Sequence, residues 1–228
     1  MILGENLKIF DDFRISMGSN VKLKIGDNTE LSGEIRLSAK NNVEIGDNTK
    51  IDCSEITMQD SSTLKIGDNC WYKSVYFVVC DNAILNIGSY NTTMSNISFI
   101  LPENTEINIG NDCMFSSNII LRSNDGHAIF DVKTKKNINS TKKISKQRKI
   151  IIGDHVWIGA YASILYNTQI GSGSIIGEKS LVKSIIPNNC IAAGVPARII
   201  RKDVAWSREF SSENISDCGE GYINFTED

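Results

Sequence analysis

Few side chains in this 228-residue chain can exchange a proton near neutral pH or act as soft nucleophiles. They are two histidines, His127 and His155, and six cysteines, Cys53, Cys70, Cys80, Cys113, Cys190 and Cys218. A neutral imidazole, with an ordinary pKa of about 6.5, can take the proton of an attacking hydroxyl. His127 stands in SNDGHAIFD (Ser123 to Asp131), with Asp125 and Asp131 near enough in sequence to orient its ring, as a carboxylate does in a hydrolase triad, or only to cap turns. His155 falls in IGDHVW, at a position that reads as a turn, and is expected to be structural or surface. The cysteines form no CxxC pair, and two histidines cannot build a three-histidine zinc site within one chain. Free thiols in a reducing compartment and no metal are therefore expected.

Those residues hang on a repeat. Ile-Gly-polar recurs at Ile25-Gly26-Asp27, Ile45-Gly46-Asp47, Ile66-Gly67-Asp68, Ile87-Gly88-Ser89, Ile109-Gly110-Asn111 and Ile152-Gly153-Asp154, in steps of 20, 21, 21, 22 and 43 residues. From Ile152 the period tightens to six, through Ile158, Ile164, Ile170, Ile176 and Val182. One aliphatic residue, a turn residue and a small residue per six suits a short strand and a corner, and three such units make one triangular coil. The aliphatics of successive coils would stack into a continuous core. Cys70 in IGDNC and Cys113 in IGNDC stand where Thr29 and Thr49 stand in IGDNT, so a packing role is expected for both.

The 43-residue step contains no hexads from about 127 to 149 and is expected to leave the coil as a loop. Its segment Lys133 to Lys149 has eight basic and no acidic residues, which reads either as a solvated excursion or as a lid facing an anion. After Arg201 the pattern stops, and Asp203 to Glu213 reads as a short helix before a polar tail. A formal charge of −3 argues against a general nucleic-acid binder. No apolar run reaches the roughly 18 residues of a membrane span. The first residues lack a basic and then apolar leader, so a cytoplasmic location is expected.

Periodicity does not give the hand of the coil, and ordinary parallel crossovers are right-handed. The segments IIGDHVWIGAYASIL (Ile151 to Leu165), the tandem hexads to Val182 and IAAGVPARIIR (Ile191 to Arg201) together resemble the hexapeptide-repeat acyltransferases, in particular their saccharide O-acetyltransferases. The resemblance implies an all-β, left-handed parallel β-helix over residues 1–202, with the extended loop at about 127–149. A short C-terminal helix and tail would fill 203–228. It implies a homotrimer with acetyl-CoA in the groove between subunits. His127 matches the family's general base, and Trp157 a tryptophan near the thioester. Ala160, Gly177, Glu178, Lys183, Ser184, Arg198 and Arg201 match its cofactor contacts, Glu178 departing from the small residue usual there. A backbone N–H near Ala160 would hold the oxyanion.

The expected activity is acetyl transfer from acetyl-CoA to a sugar hydroxyl of a bacterial surface polysaccharide, capsule or O-antigen, or of its precursor. The acceptor is a saccharide, with acidic sugars among the candidates; neither nucleic acid nor membrane insertion enters. Rival readings are N-acetylation of an amino-sugar nucleotide, acetylation of serine, and a silent β-solenoid scaffold. The first would bring an N-terminal nucleotide-binding βαβ unit and the second an N-terminal helical region, whereas Lys22 to Ile25 already begin the coil pattern.

Overall fold

Each Ile-Gly-polar unit ends one strand and turns one corner, and the reason is visible in the register. The computed structural model describes residues 1–140 and 148–227. In it Ile25 pairs with Ile45, Ile45 with Ile66, Ile66 with Ile87, Ile87 with Ile109, Ile109 with Ile152, Ile152 with Ile170 and Ile170 with Ile186. This buried column lies behind the first face of a triangular parallel β-solenoid, a nine-stranded sheet running from Ile2–Leu3 to Ile185–Ile186. The second and third faces are recorded as one 16-stranded sheet, because the nine-residue strands Lys50–Met58 and Trp71–Val79 continue across the corner between them.

The polar residue after each glycine ties coils together. The backbone N–H of Asp27 donates to Asp47 Oδ1 at 2.8 Å, that of Asp47 to Asp68 Oδ1 at 2.8 Å and that of Asn111 to Asp154 Oδ1 at 2.6 Å. The next residue takes the left-handed conformation that asparagine tolerates: φ is 53° at Asn28, 53° at Asn48, 56° at Asn69 and 52° at His155. The glycine is small because the next coil lies directly over it. A Cβ on Gly67 would sit 2.5 Å from Ser89 Oγ and 2.7 Å from the Gly88 carbonyl carbon. Gly67→Ala is expected to destabilise by about 1–3 kcal/mol, read as a lower thermal midpoint. The two cysteines after the corner behave as the threonines do. Thr49 Oγ1 donates to the carbonyl of Gly67 at 2.9 Å, Cys70 Sγ to that of Gly88 at 3.3 Å and Cys113 Sγ to that of Gly153 at 3.2 Å. Burial pushes the Cys113 thiol up to about 12.

Three sequence expectations need adjustment. The coil begins earlier than Lys22: Ile2–Leu3 pairs with Lys24 and Ile25, and Leu3-Gly4-Glu5-Asn6 is a variant corner with Asn6 at φ 55°. The 43-residue step holds only one coil, since Ile109 pairs directly with Ile152; the excursion runs from the end of Ile120–Arg122 to the start of Lys149–Ile152. Residues 141–147 of the basic segment, including Lys142, Lys143 and Lys146, lie outside the described residues. The expected helix over Asp203 to Glu213 is absent; single 3-10 turns follow it at Ile215–Cys218 and Glu220–Tyr222. That stretch instead spends its polar groups on the solenoid, Arg208 donating to Asp112, Thr92 and the carbonyl of Tyr90.

Candidate active site

The chain leaves the third face after Arg122 and should turn into the first, but the first-face strand starts only at Lys149. At this vertex His127 lies exposed on a cavity of about 220 Å³, lined also by Glu103, Asp125, Asn139 and Arg148. The loop is braced under it. Asp125 Oδ2 accepts from Arg148 at 3.1 Å and from Asn139 Nδ2 at 3.1 Å; Asn139 Nδ2 also donates to the His127 carbonyl at 2.7 Å, and Arg148 to the Asn139 carbonyl at 3.1 Å. Asp125 therefore fixes the main chain of His127, not its ring. Asp131 caps a turn, accepting from the N–H and hydroxyl of Thr134 at 2.6 and 2.8 Å.

Arg148, 6% exposed, is the residue that sequence reading passed over as one more lysine-loop cation. Its guanidinium lies 4.1 Å over the Tyr166 ring, and the Lys183 ammonium lies 4.1 Å from the same centroid while donating to the Tyr166 hydroxyl at 2.9 Å. Burial works to raise the Asp125 carboxyl, but bonds from Asn139, Tyr166 and Arg148 with the guanidinium's charge outweigh it and hold it below the ordinary range. With a depressed folded value, the brace contributes fully above the ordinary carboxylate range and is lost as pH falls through the folded value. Arg148→Met is expected to cost about 1.5–3 kcal/mol and to make the loop a preferred site of proteolytic nicking.

The other anticipated residues fall into three places on the last coils. Trp157 stands on the second face in register with Ile175 and, through it, Ile191. Beside this row Gly159, Gly177 and Ala193 form a strip with little side chain: a Cβ on Gly177 would be 2.8 Å from that of Ala193. Arg198 pairs with Ala193, and Arg201 with Ile191, on the antiparallel strand Ala197–Arg201 that closes this face; both are exposed. Ala160 and the exposed Glu178 turn the next vertex, where Glu178 meets Lys179 at 3.6 Å. Lys183 and Ser184 lie at the third vertex, on the His127 side. Within one chain, His127 is at the vertex opposite the face that carries Trp157. A roomier cavity of about 390 Å³, between Phe10 and Trp71 near the other end, is lined by no histidine.

Residues 149–184 match the model of the bacterial transferase hexapeptide family (six repeats). A polysialic acid O-acetyltransferase of Neisseria meningitidis is 32% identical over 179 residues, covering 78% of this chain and 80% of that protein. This chain belongs to the hexapeptide-repeat saccharide O-acetyltransferases. Its fold is the family's left-handed parallel β-helix. The crystal structure of the polySia-specific acetyltransferase NeuO superposes with a TM-score of 0.66 at 32% identity, covering 91% of this chain and 94% of that one. A polysialic acid O-acetyltransferase of Escherichia coli O1:K1 is 34% identical over 131 residues, 56% of this chain but only 41% of that protein's length.

Proposed function

We propose that this protein moves an acetyl group from acetyl-CoA to a sugar hydroxyl of a bacterial surface polysaccharide, or of its precursor, with His127 as general base. The observation that carries this reading is the exposed imidazole, its backbone braced by Asp125, Asn139 and Arg148, in a chain whose relatives acetylate saccharides. His127 takes the proton of the acceptor hydroxyl as its oxygen attacks the thioester carbonyl. Backbone N–H groups near Ala160 hold the oxyanion, the C–S bond breaks, and CoA leaves as thiolate. The pantetheine arm would lie along the strip beside Trp157, with Arg198 and Arg201 toward the phosphates.

A base at one vertex and a donor strip on the opposite face support an active site completed between adjacent copies, as in a homotrimer. Two relatives named for polysialic acid, an acidic polymer, favour an acidic acceptor. The lysines at the start of the loop, Lys133, Lys135 and Lys136, would attract it. A cytoplasmic setting, where acetyl-CoA is supplied, agrees with six unpaired cysteines; no helix among the described residues is long and apolar enough to cross a membrane.

The direct test is thermal unfolding with and without acetyl-CoA, with free pantetheine as control. At about 100 times its dissociation constant the donor is expected to add about 2.7 kcal/mol, several degrees in midpoint. A shift followed by CoA release on adding polysialic acid or neutral capsular saccharides supports transfer. A folded protein with no shift is a scaffold.

A further inference from the structure

His155 takes no part in that mechanism, yet its ring is hydrogen-bonded through both nitrogens and stacked on two aromatic rings. It occupies a left-handed corner that asparagine fills at Asn28, Asn48, Asn69 and Asn189, so the corner itself does not call for an imidazole. The ring is buried, 4% exposed, and the C-terminal segment closes over it. Trp206 stacks on one side at 4.0 Å and 14°, Tyr222 stacks at 4.3 Å and 6°, and the Trp206 indole N–H donates back to the His155 carbonyl at 2.9 Å.

Both ring nitrogens have partners. Nε2 faces the Trp206 carbonyl at 3.0 Å, which can only accept, so Nε2 carries a proton. Nδ1 faces Asp112 Oδ2 at 2.6 Å, and Arg208 donates to the other oxygen, Oδ1, at 2.7 Å. Burial favours a protonated Asp112, but the bonds from His155 and Arg208 and the guanidinium's charge outweigh it and keep its carboxyl below the ordinary range. The Asp112 carboxylate thus joins His155 Nδ1 on one oxygen to Arg208 on the other. With both ring nitrogens hydrogen-bonded and both faces covered by aromatic rings, the side chain is held on every side. Asp154, Cys113 and the Tyr222 hydroxyl are the other titratable groups gathered around this site.

Beyond the sandwich, Trp206 stands 6.0 Å and 44° from Trp157, whose indole N–H donates to Ser116 Oγ at 3.4 Å. We propose that His155 is a positioning residue: through its two stacked rings and its hydrogen bonds it docks the segment 204–222, and the docked Trp206 sets Trp157 against the acetyl-CoA strip. This rests on the reading of Trp157 as a donor-side residue given above.

His155→Asn tests it, because asparagine keeps the corner and removes the ring that Trp206 and Tyr222 stack on. Hydrogen exchange is read separately for the coils and for residues 203–226, and KM for acetyl-CoA is read separately from kcat. Coil amides are expected to stay as protected as in the wild type, the tail to exchange at least tenfold faster, and KM for acetyl-CoA to rise about tenfold with kcat within about twofold; tenfold corresponds to about 1.4 kcal/mol. Trp206→Ala, which leaves every coil residue in place, is expected to reproduce the KM effect and stands in if the first variant does not fold. A tail that stays protected in His155→Asn overturns the docking role. A released tail with unchanged KM, beside an active wild type, overturns the positioning role alone. A wild type with neither acetyl-CoA binding nor transfer overturns both this proposal and the functional reading beneath it.

Discussion

Replacing His127 with alanine is expected to cut kcat for acetyl transfer by about 10²–10⁴-fold while leaving the thermal midpoint nearly unchanged. The two halves of that outcome have separate causes. The ring is exposed and no hydrogen bond to it is recorded among the described residues, so its loss removes no packing, and exposed substitutions of this kind stay within about 0.5 kcal/mol. The loop's brace grips the residue through its carbonyl, which alanine retains, so the pocket around it persists. Acetyl-CoA is expected to stabilise the variant as much as the wild type, because the contacts proposed for the donor lie on other residues. Steady-state kinetics with purified saccharide, paired with the acetyl-CoA thermal shift, check both halves. Turnover retained within about threefold would remove His127 as the base; turnover lost together with donor binding would make it a residue of the donor site.

The second large effect is on folding. Phe99→Ala is expected to cost about 3–5 kcal/mol. Phe99 is fully buried and sits between aromatic neighbours from the adjacent coils, stacked on Phe77 at 4.9 Å and 9° and meeting Phe115 edge-on at 6.4 Å and 65°. The strands that carry Phe77 and Phe99 are held in register by the ladder, so neither coil can slide to fill the space. In a solenoid each coil is stabilised chiefly by its two neighbours, and this substitution weakens the coupling in the coils that lead into the loop. Denaturant unfolding with an unchanged slope and a lowered midpoint is the expected observation. A cost below about 1 kcal/mol would mean that the coils collapse onto the gap.

How much of this was legible beforehand depends on the reach of each interaction. The coil is a local device: an aliphatic that points inward, a glycine under the next coil, a polar side chain that accepts from the backbone of its neighbour, and a residue that tolerates φ near +55° recur at each corner, so the pattern is written into the spacing. The same logic covered the cysteines, since a thiol after the corner meets the carbonyl a threonine would meet. Leu3-Gly4-Glu5-Asn6 carried the corner signal as well. It was passed over because leucine replaces isoleucine at this corner. The hand could not be read from in-and-out periodicity, which is the same for either winding, and rested on resemblance.

The chemistry of this chain divides in the same way. The role proposed for His127 was read from the family resemblance of its segment, which has no hexads. What holds it was not, because Arg148 reaches Asp125 across 23 residues of chain that have no period to bring them together. The tail was misread for a related reason. A helix over Asp203 to Glu213 would satisfy its own backbone, but Trp206 and Arg208 find partners on the solenoid, 51 residues away at His155 and 96 at Asp112, and these outweigh local preference. The sequence by itself determined the coil and the excursion, and placed a histidine in that excursion. Only the tertiary structure decided which side chains brace His127, which histidine is stacked and hydrogen-bonded under the tail, and that His127 and the strip beside Trp157 lie on opposite sides of one chain, because each follows from contacts between segments that no local period relates.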